Sequence, residues 1–442
     1  MQRWLTMSAA ALGRAIAKGD IDPVNLAQIY LDAIDTHPFT SRIYTIVTRD
    51  RALAEAQAAS ERARLGQRKS ALDGVPVSWK DLFDSANVAT EAGSVLLENR
   101  MPTADCEVLR CATELGLVCL GKTHLSELAF SGLGYNPRTA TPPCVNDHDA
   151  VSGGSSSGAA ASVAFGLAPL AIGSDTGGSV RIPAAWNDLV GLKTTSGRLS
   201  LEGVVPLCAR FDTVGPLCRS VEDAALALAV LQGGKPADLT NSTLEGRRLA
   251  ICDTVALDAL RQEPRAAFDK AVDRLRAMGA LVERIEIPSV QEALALSGVL
   301  FAAEAYGTWK DIIEGNPDLM YEEILMRFRG GADVSAPDYV AAWQKLDRLR
   351  GDYYTATREF DAVLMPSSPI LPPNMERLGQ DHDYYVAENL LALRNTRIGN
   401  LMGACALTVP TGFPSCGLMM VCPPMQEHHL LRLGAAVENA LV

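Results

Sequence analysis

Two glycine-rich, serine-bearing turns lie close together in the chain: SGGSSSGAAASV at 152–163 and SDTGGSVRIP at 174–183. A serine hydroxyl becomes a nucleophile only when a base takes its proton, so the chemistry turns on where that base is. Three readings of the turns compete. Gly154-Ser155-Ser156-Ser157-Gly158 matches GxSxG, the elbow that presents a serine between a strand and a helix, which would make Ser156 a histidine-activated nucleophile. The preceding NDHDAVS is polar and makes a poor strand, which counts against it. Asp175-Thr176-Gly177 matches the short loop of aspartic proteases, but that chemistry needs two opposed carboxylates. The only near partner, FDTVG at 211–215, lacks glycine directly after threonine. A phosphate cradle is the third reading, and neither turn has the spacing of GxxxxGK(S/T) or GxGxxG.

Histidine is scarce: the six form no HExxH and no metal-ligating set, so neither a histidine base nor a metal site is expected. That leaves lysine, whose amine accepts a proton at neutral pH only if burial disfavours its charge. Lys80, at the end of GVPVSWKD, follows Val75, Pro76, Val77 and Trp79 in a stretch that suits a buried strand. The competing reading pairs Lys80 with the adjacent Asp81 as an ordinary ion pair.

The surrounding pattern supplies elements to hold these groups. Asp22-Pro23 opens a helix whose Leu26, Ile29, Tyr30 and Ile34 share a face before Pro38 stops it. A second helix runs from about 50 to 65 and ends at Gly66. Helix and strand then alternate: 107–115 helical, 117–120 extended, 159–166 helical, 170–173 extended. RRLAICD, a helix over 264–278 and LVERIEI form a β-α-β unit with Gly279 as its C-cap. This alternation predicts an α/β fold, an α/β/α sandwich whose large mixed, mostly parallel sheet is covered by helices. One domain spanning 1–442 is expected. It comprises an N-terminal helical segment (1–70), a catalytic core (71–230), a helical cap (290–360) and a closing core segment (361–442).

Composition narrows the function classes. A net charge of −12 argues against a nucleic-acid footprint, which needs clustered Lys and Arg. The ten cysteines include no CxxC, and several lie in apolar runs, as buried reduced thiols do. MQRWLTMSAAALGRAIAKGD has no continuous apolar run of a secretory signal, and the longest apolar stretch, 159–172, is broken by Gly166 and Pro169. The expectation is a cytoplasmic protein with no membrane association.

Taken together, GVPVSWKD, SGGSSSGAAASV and SDTGGSVRIPA resemble the amidase signature family, serine hydrolases that use a Ser–cis-Ser–Lys triad. TEAGS at 90–94, LGKTHLSELAFSG at 120–132, GLKTTSGRLS at 191–200 and FDTVGPLCRSVEDA at 211–224 extend the likeness, as do DAVLMPSSP at 361–369 and LMGACALTVPTGF at 401–413. The resemblance implies Ser179 as nucleophile, Ser155 as bridging serine on a cis Gly154–Ser155 peptide, and Lys80 as general base. It implies an oxyanion hole from the N–H groups of Thr176, Gly177, Gly178 and Ser179. Gly154, Asp175 and Arg181 would support the loops, and Ala129 would lie beside the acyl site through its backbone. No cofactor or metal is implied. The chain departs from the pattern at Ser157, where many members have glycine. It departs again after Phe413, where PSCGLMMVCPPMQEHHLL replaces a glycine-proline-rich strand leading to a glutamine.

The reading that follows is a hydrolase of small-molecule carboxamides, with esters and carbamates (urethanes) sharing the carbonyl geometry. Tyr306, Trp309, Tyr321 and Trp343 in the cap suggest aryl substrates. The alternative is the glutaminase-type subunit of an aminoacyl-tRNA amidotransferase, and a third reading is a degenerate, inactive scaffold. A homodimer is left open.

Overall fold

A computed structural model describes residues 2–441, in which eleven strands join one sheet. In chain order these are β1 (Tyr44–Val47), β2 (Pro76–Lys80), β3 (Val118–Thr123), β4 (Leu170–Ser174), β5 (Val190–Lys193), β6 (Val214–Cys218), β7 (Arg248–Cys252), β8 (Leu281–Ile285), β9 (Ala362–Pro366), β10 (Cys405–Pro410) and β11 (Gly417–Cys422). Their order across the sheet is β1-β3-β2-β4-β6-β5-β10-β11-β9-β7-β8. The α/β class holds and the sheet is mixed, but it is not mostly parallel. Four pairings are parallel (β2 with β3 and β4, β7 with β8 and β9), and six are antiparallel. Two antiparallel pairs, β5–β6 and the tightly connected β10–β11, join strands consecutive in the chain, whereas the other four join strands that are not. The divergent ending after Phe413 thus completes the sheet as β11, paired with both β10 and β9.

Local chemistry explains the flanking helices. The Asp22 carboxylate accepts from the N–H groups of Val24 and Asn25, Pro23 occupies the first turn, and the helix Pro23–Thr36 buries Leu26, Tyr30 and Ile34 one turn apart. The central strands β2, β4, β6, β10 and β11 are buried along nearly their whole length, which their near-continuous apolar sequences allow. The edge strand β8 is largely exposed and carries Glu283 and Arg284, charges that discourage further pairing.

The segment expected as a cap is helical: Pro288–Ala295, Ser297–Gly315, Glu322–Arg329 and Ala336–Thr357. It packs on the loops around the serine turns, with Phe301 against Phe211 at 4.3 Å and Phe328 against Phe130 at 4.8 Å between ring centres. All ten cysteines are unpaired thiols, nine of them buried. No helix among the described residues is long and apolar enough to cross a membrane.

Candidate active site

Lys80 ends β2, which lies between β3 and β4. Its side chain is buried, and Nζ donates to Ser155 Oγ at 2.7 Å and to Ser174 Oγ at 2.8 Å. The expected rival partner is otherwise engaged, since Asp81 pairs with Lys122 at 2.9 Å. Burial pushes the Lys80 ammonium down to about 7, against the opposing pull of Asp212 and Asp175. A lysine in that range exists substantially as the free amine at neutral pH.

The first serine turn is fixed by close backbone approach. The Gly154–Ser155 peptide is cis, and the Gly154 N–H donates to the Gly132 carbonyl at 2.8 Å. A β-carbon at Gly154 would lie 2.4 Å from the Gly134 nitrogen and 2.6 Å from Ser126 Oγ, so only glycine fits. Ser156 joins the two turns. Its N–H donates to the Ser179 carbonyl at 3.2 Å and its hydroxyl to the Ser174 carbonyl at 3.2 Å. With its hydroxyl turned onto backbone and no histidine bonded to it, Ser156 has the bonding of a strut, and the GxSxG match follows from local composition.

The second turn is organised by Asp175. Its carboxylate accepts from the N–H groups of Gly178 (2.9 Å) and Val180 (3.1 Å), from Arg181 Nε and Nη2 (3.0 and 2.9 Å), and from Asn400 Nδ2 (2.9 Å). Burial alone would raise this carboxyl, but Arg181 foremost, with Lys193 and Asn400, holds it well below the usual carboxylate range. Arg181 also donates to the Thr396 carbonyl and to Asn400 Oδ1, and Thr396 Oγ1 donates to the Gly177 carbonyl at 2.7 Å. Gly178 has φ +140°, and a β-carbon there would meet Thr396 Oγ1 at 2.1 Å. Thr176 Oγ1 donates to Asp212 at 2.5 Å. The two buried aspartates therefore serve separate networks, which is not how a proton-sharing dyad is built.

Of the four N–H groups expected to face an oxyanion, that of Gly178 is directed at Asp175. Those of Thr176, Gly177 and Ser179 donate to no acceptor among the described residues. Thr176, Gly177 and Ser179 line a cavity together with Ala129 and Ser131. Ala129 takes a left-handed φ of +60°, which brings its backbone to the cavity wall. The four cap aromatics do not line this cavity. Trp309 donates Nε1 to the Pro206 carbonyl, Trp343 stacks on Phe211, Tyr321 packs on Tyr135 and Tyr385, and Tyr306 meets Glu314. They sit in packing and surface roles, and the aromatic walls are Phe130 and Phe301.

Sequence reasoning overlooked several groups around the site. Ser174, the second acceptor for Lys80, stands directly before Asp175 at the end of a buried strand, and that position was a readable signal. Thr396 and Asn400, four residues apart on the helix His382–Leu401, reach the turn from more than 200 residues away and give no local signal. Arg327 and Arg397, which also line the cavity, look in sequence like ordinary solvated helix residues.

A buried, carboxylate-free lysine bonded to the serine of one turn, with unspent amides on the next, is equipment for acyl transfer, and comparison with known proteins gives the class. Residues 25–431 match the model of the Amidase family, and the chain belongs to that family of amide-hydrolysing enzymes. Among curated relatives it is 36% identical to the 2-amino-5-chloromuconic acid deaminase of Comamonas testosteroni, over 90% of this chain and 88% of that one. It is 33% identical to a component of the glutamyl-tRNA(Gln) amidotransferase from Anaeromyxobacter dehalogenans (strain 2CP-C), over 97% of this chain and 95% of that one. A solved amidase structure superposes with a TM-score of 0.87 at 28% identity, covering 99% of this chain and all of that one.

Proposed function

We propose that the protein hydrolyses small carboxamides through an acyl-enzyme on Ser179, with Lys80 as general base and Ser155 as the relay between them. The observation that carries this reading is the Lys80 amine, buried, lowered to about 7 and bonded to Ser155 at 2.7 Å, beside the turn that carries Ser179 at the cavity wall. The neutral amine takes the Ser155 proton as Ser155 takes that of Ser179, and the Ser179 oxygen adds to the carbonyl carbon. The N–H groups of Thr176, Gly177 and Ser179 stabilise the resulting oxyanion, the kind of preorganised donor set that dominates acyl-transfer catalysis. The proton held on Lys80 returns through Ser155 to the departing nitrogen, the C–N bond breaks, and water then cleaves the ester by the same relay. Esters and carbamates enter the same cycle, since they share the carbonyl geometry.

The test is peptide mapping after treatment with a serine-reactive fluorophosphonate. A single adduct on Ser179, lost in Ser179→Ala, is expected; an adduct on Ser156 refutes the assignment. The likeness to an amidotransferase component supports a second reading, in which glutamine is the substrate and partner proteins consume the ammonia. Glutaminase activity that rises when such partners are added distinguishes the two.

A further inference from the structure

The proton relay creates a charge that it does not itself neutralise. When the Lys80 amine takes the Ser155 proton, an ammonium forms whose Nζ touches only the hydroxyls of Ser155 and Ser174. A buried cation left unpaired is costly, yet one in direct contact with a carboxylate would keep its proton and be no base. A carboxylate near the lysine but out of contact with it meets both demands, and Asp212 stands in such a place.

The sheet sets this position. The antiparallel pairing of β4 with β6 opposes Ser174 to Val214 and continues one step beyond both strands, where Asp175 and Thr213 exchange N–H to carbonyl bonds of 2.8 and 3.1 Å. Thr176 and Asp212 form the next pair, and Thr176 Oγ1 donates to the Asp212 carboxylate at 2.5 Å. Side chains two residues apart on an extended segment share a face. The Ser174 hydroxyl that meets Lys80 at 2.8 Å and the Thr176 hydroxyl that meets Asp212 are therefore neighbours.

Asp212 is buried and also accepts from the N–H groups of Leu207 at 3.0 Å and Cys208 at 3.1 Å. A carboxyl that takes three donors has the bonding of an anion. Asp81 pairs with Lys122 and Asp175 with Arg181, but neither Asp212 nor Lys80 makes an ion pair among the described residues. The other ionisable groups nearby supply no cation to either. Arg181 is engaged by Asp175, and Lys193 donates to the Thr194 and Ala404 carbonyls. Burial pushes the Cys208 thiol up, which keeps it neutral, and Glu304 on the cap helix Ser297–Gly315 is itself acidic. Among charged groups, Asp212 pulls the Lys80 value up most strongly, ahead of Asp175.

We propose that Asp212 is a positioning residue, a stand-off counterion that stabilises the Lys80 ammonium formed during acylation while holding Thr176, whose N–H is assigned to the oxyanion. This rests on the reading of Lys80 as base and Ser179 as nucleophile. The cap takes part in setting the distance, since Trp309 Nε1 donates to the Pro206 carbonyl at 2.9 Å and Glu304 accepts from the Arg210 N–H at 3.0 Å, both on the loop that carries Asp212.

The test is the pH profile of fluorophosphonate labelling of Ser179 in the wild type and in Asp212→Asn. Asparagine keeps the shape, and an oxygen for the Leu207 and Cys208 N–H groups, but removes the charge. The midpoint of the Lys80 limb should fall by about one pH unit or more, and the plateau above pH 8 should drop at least about threefold, because the amine becomes a weaker base and its ammonium is less favoured. The rate relative to wild type should thus be higher at pH 5.5 than at pH 8. A merely structural loss would instead lower the rate equally at every pH, or admit water to Lys80 and raise the midpoint. Either result beside a normal wild-type limb overturns the role of Asp212 and leaves Lys80 as base. A wild type without a limb near 7, or with its adduct elsewhere than Ser179, overturns the underlying reading and this role with it. If Asp212→Asn does not fold, Asp212→Ser removes the same charge with a smaller acceptor, and its profile is judged by the same outcomes.

Discussion

The protonation of Lys80 makes a quantitative claim. With a value near 7 in place of the ordinary 10.5, about half of the enzyme carries the free amine at pH 7. An unshifted lysine would provide roughly one molecule in three thousand, so burial is worth a factor of about 10³ in available base. The second-order rate of fluorophosphonate labelling of Ser179, followed from pH 5 to 10, should rise about tenfold per unit below pH 6 and level off above pH 8. Lys80→Arg keeps the charge permanently and should lower the rate by about 10²–10⁴ while removing the limb near 7. Stability gives an independent reading. A lysine whose folded value is depressed binds fewer protons than the unfolded chain between about 7 and 10.5, so native stability rises across that window. Below pH 7 the buried charge costs up to roughly 5 kcal/mol, an upper figure from a shift of about 3.5 units at 1.36 kcal/mol each. Lys80→Met should therefore show its largest relative gain in urea midpoint at pH 6 and lose that gain toward pH 10. A labelling rate that is flat between pH 5.5 and 8.5, or that keeps climbing to pH 10, refutes Lys80 as the base.

Two further outcomes probe the second serine turn. Arg181→Met leaves Asp175 buried without its cation and should cost about 3–5 kcal/mol in urea unfolding at pH 7, and a loss below about 1 kcal/mol would show that the turn holds without the pair. Because Asp175 is held below its unfolded value, the stability from this pair is present above about pH 4 and fades as pH falls, so the wild type and the variant should converge in acid. Gly178→Ala forces a β-carbon against Thr396 Oγ1 and a side chain onto a φ of +140°, and should lower labelling of Ser179 by at least about 10²; near-normal labelling would mean that the turn tolerates displacement.

What could be read in advance divides along a physical line. Lys80 was legible because a lysine closing an apolar strand is anomalous locally, and the two turns because glycine and serine at that density suit few conformations. The helix opened by Asp22-Pro23 followed from capping chemistry contained within four residues. The sheet's balance of pairings was not legible: strand direction depends on how the chain returns, and β10 and β11 carry the same apolar pattern they would have in a parallel sheet. The cap aromatics misled because a large ring on a helix reports burial without saying against what. Arg327 and Arg397 were invisible for the converse reason, since a charged residue on an amphipathic helix normally faces water and only the tertiary fold turns these two toward Ser179.

The tie between Asp175 and Asn400 spans 225 residues, and that between Arg181 and the Thr396 carbonyl spans 215. A ribosome adding about 5–20 residues per second needs roughly 10–45 s to travel that far. For that interval the loop bearing Ser179 exists without the helix that fastens it. The loop gains its fastening only late in synthesis, once the helix His382–Leu401 has been made and has docked.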